Sequence, residues 1–273
     1  MALITGSLFV AFVHIQTAET NEPLSFANIK KQSFDFMVMG DNRPNLTMLH
    51  RFLSLANRHD APLLFHVGDI VYDGNAISFI KANAMIKHLR SSLTVHGVPG
   101  NHDVGVYKNL LFFNYAFNYP ILDTNGFRSF DSANTHFILL NTHKRGHSSG
   151  LSPEQMNWLV NDLNANTLET IVVFMHYPVF PAGVYTPLRN AGKFHDLMTK
   201  HNVTLVFSGH EHLFYETDQD GVRYVVTGGA GSQLHYIDNP NAQSVFHMIG
   251  VNMSDSIISV LDQDGKELRT VTF

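Results

Sequence analysis

Five short apolar segments of the chain are each followed directly by Asp, Asn or His. They end at Gly40-Asp41, Gly68-Asp69, Gly100-Asn101-His102-Asp103, Met175-His176 and Gly209-His210-Glu211-His212. Each apolar run has the length and composition of a buried β-strand. If these strands share one sheet, their polar ends meet at the edge where open α/β sheets bind ligands. Carboxylate, amide and imidazole groups gathered there predict a metal site.

Helical segments separate the predicted strands. Residues 45–58 and 75–90 carry apolar side chains at helical spacing. Ser152-Pro153 is typical of a helix start, with Ser as the N-cap and Pro at the first helical position. The β-α-β-α-β order predicts an α/β protein with parallel strands and right-handed crossovers. From Leu213 onward the pattern changes to strands and turns.

Composition restricts the classes of partner. The chain has 273 residues, a net charge of −5 with His neutral, and no cysteine. An acidic balance without a basic stripe argues against binding to a long nucleic acid. The absence of cysteine excludes disulfides and thiolate metal ligands. The 17 histidines fit metal chemistry, although most of them must have other roles.

The amino terminus allows two interpretations. Residues 2–15 form a mostly apolar run, followed by a polar stretch up to Glu22. We therefore expect residues 1–22 to be a signal peptide or N-terminal extension, with a terminal strand packed on the sheet as the alternative. The functional domain is then predicted at 23–273. A periplasmic or secreted location follows from the first interpretation, and membrane contact is expected only through this segment.

The ordered motifs resemble those of a known superfamily. Gly40-Asp41, Gly68-Asp69-x-x-Tyr72, Gly100-Asn101-His102-Asp103, Val173-x-x-His176 and Gly209-His210-x-His212 occur in sequence order. They resemble the five motifs of the calcineurin-like metallophosphoesterases, and most of all those of the purple acid phosphatase branch. The match extends over roughly residues 34–235. The resemblance implies a four-layer α/β/β/α fold, in which two mixed β-sheets form a sandwich flanked by helices.

The resemblance also implies a binuclear metal centre that hydrolyses phosphate esters by attack of a metal-bound hydroxide. Two cations about 3.5–4 Å apart clamp the phosphoryl group and lower the pKa of a bound water. A shared carboxylate suits the bridge between them, and Asp69 takes that position. By resemblance, Asp41, Tyr72 and His212 complete the ligands of the first metal. Asn101, His176 and His210 complete those of the second metal.

Tyr72 bears on the identity of the metals. By resemblance to purple acid phosphatases it would bind as a phenolate. Ionising a phenol needs strong charge compensation, which favours a trivalent ion. We therefore expect ferric iron (Fe³⁺) in the Tyr72 site, and Zn²⁺, Mn²⁺ or Fe²⁺ in the other. Two Mn²⁺ or two Zn²⁺ ions are the alternative, with Tyr72 packed over a divalent pair.

Three further residues are candidates for catalysis. His102 lies where a leaving group would be protonated, so we assign it as a general acid or transition-state donor. Asp103 either orients His102 or caps the loop. Arg43 departs from the family pattern, since the purple acid phosphatases have Gly there and the wider superfamily often has His. It either grips phosphate oxygens or faces outward in a salt bridge.

The sequence therefore predicts a metal-dependent phosphoesterase that acts on a small phosphorylated substrate, with phosphomonoesters favoured. One alternative is a phosphodiesterase for nucleotides or lipids. Another is a catalytically silent binding protein on the same scaffold, although every expected ligand is present in this chain.

Overall fold

The computed structural model describes residues 33–89, 91–104, 110–144 and 147–273. The signal peptide or extension predicted at residues 1–22 lies outside the described residues, and so does the start of the domain predicted at 23–273. Among the helices of the described ranges, none is long and apolar enough to cross a membrane.

Strands are interspersed with helices up to Lys200, and strands alone follow. The strands are β1 (Phe36–Met39), β2 (Leu63–His66), β3 (Thr94–Gly97), β4 (Arg128–Ser132), β5 (Thr135–Leu139), β6 (His143–Lys144), β7 (His147–Ser148), β8 (Thr170–Phe174), β9 (Leu205–Ser208), β10 (Phe214–Gln219), β11 (Val222–Thr227), β12 (Ala242–Gln243), β13 (Met248–Asn252), β14 (Ile257–Leu261) and β15 (Glu267–Thr272). The helices are α1 (Leu46–Arg58), α2 (Ala76–Lys87), α3 (Leu111–Ala116), α4 (Pro153–Ala165) and α5 (Ala191–Lys200).

The described strands form two mixed sheets and a small β6–β7 ladder. The first sheet has six strands in the order β15-β14-β13-β1-β2-β3, and the second has seven in the order β12-β10-β11-β9-β8-β5-β4. Strands β1, β2 and β3 run parallel, as do β5, β8, β9 and β11. The predicted parallel βαβ units are therefore confirmed, but they are divided between two sheets instead of sharing one.

The two sheets pack face to face through aromatic side chains. The ring of Phe36 on β1 lies 5.6 Å from that of Phe65, 5.5 Å from Phe137, 6.0 Å from Phe174 and 6.1 Å from Phe207. Because strand side chains alternate, the neighbouring residues of these strands face the outer layers. These side chains belong to one cluster of buried apolar residues, and close packing of this kind fixes one sheet relative to the other.

Helices cover the outer face of each sheet. Helices α1, α2 and α3 pack with outward residues of the first sheet, such as Met37 and Leu64. Helices α4 and α5 pack with outward residues of the second, such as Val173 and Val206. The predicted four-layer α/β/β/α sandwich is thus confirmed.

The helix starts follow the capping residues of the sequence. Asn45 caps α1 by accepting a hydrogen bond from the Met48 N–H, and Asn75 caps α2 in the same way. Ser152 accepts from the Gln155 N–H at the start of α4, with Pro153 as the first helical residue, as predicted.

Candidate metal centre

The predicted ligands lie in the loops that follow five parallel strands. Asp41 and Asp69 follow β1 and β2, and Asn101 lies beyond β3 in the first sheet. His176 and His210 follow β8 and β9 in the second sheet. Both sheets therefore contribute to one site, at the carboxyl ends of their parallel strands.

The backbone at three of these positions is strained. Asp41, Asp69 and His210 have φ angles of 60°, 58° and 70°. Left-handed backbone in residues other than glycine costs of order 1–3 kcal/mol and persists only where the surroundings impose it. Such strain clusters at functional sites, which is consistent with the positions of these three residues.

The structure brings six of the seven predicted ligands together. Ligand atoms of Asp41, Asp69 and His176 all lie within 4.8 Å of one another. His176 Nε2 is 3.0 Å from Asn101 Oδ1 and 3.6 Å from Asp69 Oδ1. His212 Nε2 is 3.6 Å from Asp41 Oδ1, and the rings of His210 and His176 are 5.1 Å apart.

Backbone carbonyls set the tautomers of two histidines. His176 Nδ1 lies 2.9 Å from the Val67 carbonyl oxygen, and His212 Nδ1 lies 2.8 Å from that of Gln233. A carbonyl oxygen can only accept, so each Nδ1 carries the proton. The Nε2 lone pair then faces the carboxylates, which is the arrangement of a metal-binding histidine with its supporting hydrogen bond.

The histidines of the site are held neutral. Burial lowers the pKa of His210 to about 2 and that of His212 to about 4. Burial also lowers the pKa of His176, against the opposing effect of Asp69. Neutral imidazole is the form that binds metal ions, so the donor set suits a cation without prior loss of a proton.

Asp41 lacks full compensation for its charge. The side chain is fully buried, and Oδ2 accepts a hydrogen bond of 2.9 Å from the His210 N–H. Among the described residues, none donates a hydrogen bond to Oδ1. Burial, and then the nearby Asp69, raise the pKa of Asp41 well above its usual value. A cation at Oδ1 would offset both effects, so the residues present fit a bound metal ion.

Glycines allow the loops to approach the carboxylates closely. A Cβ atom at Gly100 would overlap Asp69 Oδ1, and one at Gly209 would overlap Asp41 Oδ2. Glycine is therefore required by the packing of the site at these two positions, each of which directly precedes a predicted ligand.

Two hydrogen-bond donors hold the carboxylate of Asp69. The His102 N–H donates to Oδ1 at 2.9 Å, and Arg43 Nε donates to Oδ2 at 2.6 Å. Burial opposes ionisation of this carboxyl, but the charge of Arg43 and the two hydrogen bonds favour it. Asp69 is thus an ionised carboxylate at the centre of the group.

Asp103 joins the loops that follow β2 and β3. Its Oδ2 accepts from the N–H groups of Asp69 at 2.7 Å and Gly100 at 2.9 Å, and its Oδ1 accepts from Val71 at 3.1 Å. Burial, and then Asp69, raise the pKa of Asp103 to about 7. These contacts correspond to the loop-capping alternative: the carboxyl group positions Asp69 and does not orient the His102 ring.

His102 and Tyr72 lie at the rim of the site. His102 Nδ1 is 2.6 Å from the Tyr72 carbonyl oxygen, so Nδ1 carries a proton and Nε2 remains for other partners. The two rings are 5.3 Å apart. The Tyr72 side chain is 58% exposed and is the one predicted ligand that stands outside the buried group.

Arg43 points inward. Only 15% of its side chain is exposed, and the guanidinium contacts Asp69 instead of a surface acid. Its backbone carbonyl also accepts a hydrogen bond of 2.6 Å from Ser232 Oγ, which holds this loop against the Gly-rich segment after β11. The outward salt bridge considered for Arg43 is therefore wrong.

Glu211 supports the site although no sequence motif points to it. It is fully buried, and its carboxylate accepts hydrogen bonds from the N–H groups of Ala182 at 2.5 Å, Val184 at 2.8 Å and Tyr185 at 2.9 Å. These bonds hold the loop that places the Tyr185 ring 4.5 Å from the His210 ring. Glu211 is therefore not one of the predicted ligands but anchors a neighbouring loop.

The fold and the site together define an α/β sandwich with a candidate metal centre at the strand ends. A family model described as calcineurin-like phosphoesterase matches residues 34–214. The chain therefore belongs to the calcineurin-like phosphoesterase family.

Individual relatives indicate the branch. Tartrate-resistant acid phosphatase type 5 of Oryctolagus cuniculus is 30% identical over 146 residues, which are 51% of this chain and 44% of the relative. The structure of purple acid phosphatase PPD1 from yellow lupin seeds has a TM-score of 0.69 at 18% identity, over 86% of this chain and 52% of the lupin chain. These similarities point to the purple acid phosphatase-like branch.

A further structure shares the fold over most of both chains. GAP50, the anchor in the inner membrane complex of Plasmodium, has a TM-score of 0.65 at 16% identity and covers 87% of each chain. Identity at this level concerns the fold alone. The present chain spans less than half the length of the rabbit phosphatase, at 44%.

The role of Glu211 can be tested by Glu211→Gln. The glutamine side chain replaces one carboxylate oxygen by an NH₂ group, which cannot accept a hydrogen bond. The bond from the Ala182 N–H is then lost, or those from the Val184 and Tyr185 N–H groups are. Hydrogen bonds to charged groups contribute about 1.5–3 kcal/mol, so exchange of these amides should accelerate about tenfold or more. Amide hydrogen exchange measures this directly. Glu169→Gln, at an exposed position, is the matched control; equal protection in both variants would contradict the anchoring role.

Proposed function

We propose that the protein hydrolyses phosphate esters, preferentially monoesters, with two metal ions bound at the candidate metal centre. The observation that carries the proposal is the buried group of Asp41, Asp69 and His176, whose ligand atoms converge within 4.8 Å. Membership of the calcineurin-like phosphoesterase family and the similarity to acid phosphatases support it. The substrate would be a small phosphorylated molecule.

The ligands divide into two sets around a shared carboxylate. In this proposal Asp41, Tyr72 and His212 hold the first ion, and Asn101, His176 and His210 hold the second. Asp69 would be shared between them, because it lies near His176 of the second set and Asp41 of the first. Two bound cations would neutralise the phosphoryl oxygens and increase the acidity of a water molecule.

The protein supplies the remaining groups. The His102 N–H fixes Asp69, and the proton on His102 Nδ1 is held by the Tyr72 carbonyl oxygen. A proton delivered to the leaving oxygen would therefore come from Nε2 of an imidazolium. Arg43 carries a planar donor group suited to phosphate oxygens. Asp103 acts indirectly, by holding the Asp69 loop.

A second candidate function is a catalytically silent binding protein. The fold similarity to GAP50, the anchor in the inner membrane complex of Plasmodium, is the observation that keeps this alternative. The two functions differ in the metal centre, because a protein that serves only as a scaffold has no need of a buried set of neutral imidazoles around carboxylates.

Metal removal and Asp69→Ala test the proposed function together. Protein stripped with a chelator and reloaded with iron, manganese or zinc should hydrolyse an aryl phosphate monoester or diester. Loss of the shared carboxylate should lower kcat/KM by about 1,000-fold or more, since metal ions contribute several kcal/mol to such reactions. Asp196→Ala, at an exposed position of α5, should leave activity unchanged. No turnover with any metal, or full activity in Asp69→Ala, would overturn the proposal.

His102→Ala should lower kcat by about 100-fold or more while the metal content stays constant, because a positioned proton donor typically contributes that much. The loss should be larger for an alkyl phosphate than for 4-nitrophenyl phosphate, whose leaving group needs less protonation. Steady-state kinetics with both substrates measure the difference. His50→Ala, at an exposed position of α1, is the control. An equal loss for the two substrates would refute the role as proton donor.

The ferric assignment has a spectroscopic test. Iron-loaded protein should show a visible absorption band from a phenolate bound to Fe³⁺, and Tyr72→Phe should remove it while leaving the iron content unchanged. Tyr236→Phe removes the phenol of another highly exposed tyrosine and should preserve the band. A band that survives in Tyr72→Phe, or a wild-type protein without one when loaded with iron, would favour two divalent ions.

A further inference from the structure

Arg43 occupies the side of the site that the first ion would need. Its Nε lies 2.6 Å from Asp69 Oδ2, and its guanidinium carbon is 5.8 Å from the centre of the Tyr72 ring. Asp69 and Tyr72 are both assigned to the first ion. The other oxygen of Asp69 faces His176 of the second set, at 3.6 Å. The guanidinium therefore contacts the Asp69 oxygen that does not face His176.

The charge of Arg43 is permanent. A guanidinium cannot lose its proton in a protein, and it cannot bind a metal ion. Its ion pair with Asp69 is largely removed from water, since the exposed fractions of the two side chains are 15% and 0%. A cation that enters beside Asp69 Oδ2 must displace this partner or remain next to a like charge. Either requirement weakens binding at the first site.

Among the described residues, no hydrogen bond or ion pair joins Arg43 to Asn101, His176 or His210, although its charge reaches both histidines. His176 Nε2 lies 3.0 Å from Asn101 Oδ1. A cation bound by both atoms would take the place of this contact. The His176 ring is fixed by the Val67 carbonyl oxygen. These donors are neutral, so a cation gains them without breaking an existing ion pair.

We propose that Arg43 supplies the positive charge of the first ion while that ion is absent, so that the two sites fill in order. The second site, of Asn101, His176 and His210, binds its cation tightly. The first site, of Asp41, Tyr72 and His212, binds only when Arg43 leaves Asp69. This ordered loading rests on the proposed function, because it uses the same two ligand sets.

Metal stoichiometry tests the proposal without an activity assay. Stripped wild-type protein is titrated with Mn²⁺, and bound metal is counted by mass spectrometry and by the electron paramagnetic resonance signal of free Mn²⁺. The first equivalent should bind about 100-fold or more tightly than the second, the effect of a like charge at close range. At one equivalent, the spectrum should be that of isolated Mn²⁺ ions, without exchange coupling.

Arg43→Gly and Arg43→Gln should bind the second equivalent about 100-fold more tightly than the wild type and give an exchange-coupled spectrum at two equivalents. Two variants are used because Arg43→Gln keeps the side-chain stem where Arg43→Gly removes it. Circular dichroism melts of both verify that the fold is retained. Arg51→Ala removes an exposed arginine of α1 and should behave as the wild type.

The outcomes separate the two proposals. Two equivalents of similar affinity in the wild type, or Arg43 variants that load as the wild type does, would overturn ordered loading and leave the phosphoesterase function standing. No binding of Mn²⁺, Zn²⁺ or iron by the wild type would overturn both.

Discussion

Two buried carboxylates that face one another are the central constraint of this structure. Asp41 and Asp69 are both fully buried, and burial, followed by the nearby Asp69, raises the pKa of Asp41. Burying a charge is strongly unfavourable unless it is paired. The surroundings respond with donors: the His210 N–H to Asp41, and the His102 N–H and Arg43 to Asp69. The composition of the site follows from this need for positive charge.

The sandwich supplies the rigidity that such an arrangement requires. Asp41 and Asp69 come from the first sheet, and His176 and His210 come from the second. Their separation is therefore set by the aromatic layer around Phe36. Positive φ angles at Asp41, Asp69 and His210 are sustained by this packing, since isolated loops would relax to less strained backbone.

The sequence predicts this geometry where the information is local. Apolar runs that end in Gly-Asp, Gly-Asn or His carry the signal for strand and loop, and six of the seven predicted ligands lie close together in the structure. The start of α4 is equally readable, because Ser152 and Pro153 act within one turn. No single segment of the sequence shows that the parallel strands are divided between two sheets. That prediction comes from the resemblance to the family.

Contacts between distant loops are where prediction from sequence fails. The directions of Arg43 and Asp103 depend on which backbone lies beside them after folding: Asp103 meets the Asp69 N–H 34 positions earlier in the chain. Glu211 accepts hydrogen bonds from three N–H groups that lie 26 or more positions away in the chain. The exposure of Tyr72 likewise reflects loop geometry, which residue type does not determine.

Charge balance also bears on the choice between an enzyme and a silent scaffold. A scaffold that no longer bound metal would gain stability from neutralising both carboxylates. Arg43 does this for Asp69 alone, and Asp41 Oδ1 has no hydrogen-bond donor among the described residues. The neighbouring His212 is neutral at ordinary pH, since burial lowers its pKa to about 4, so it cannot supply the missing charge. A buried carboxylate oxygen that faces a neutral imidazole nitrogen is what a cation-binding site requires, and it is costly in a protein that does not bind one.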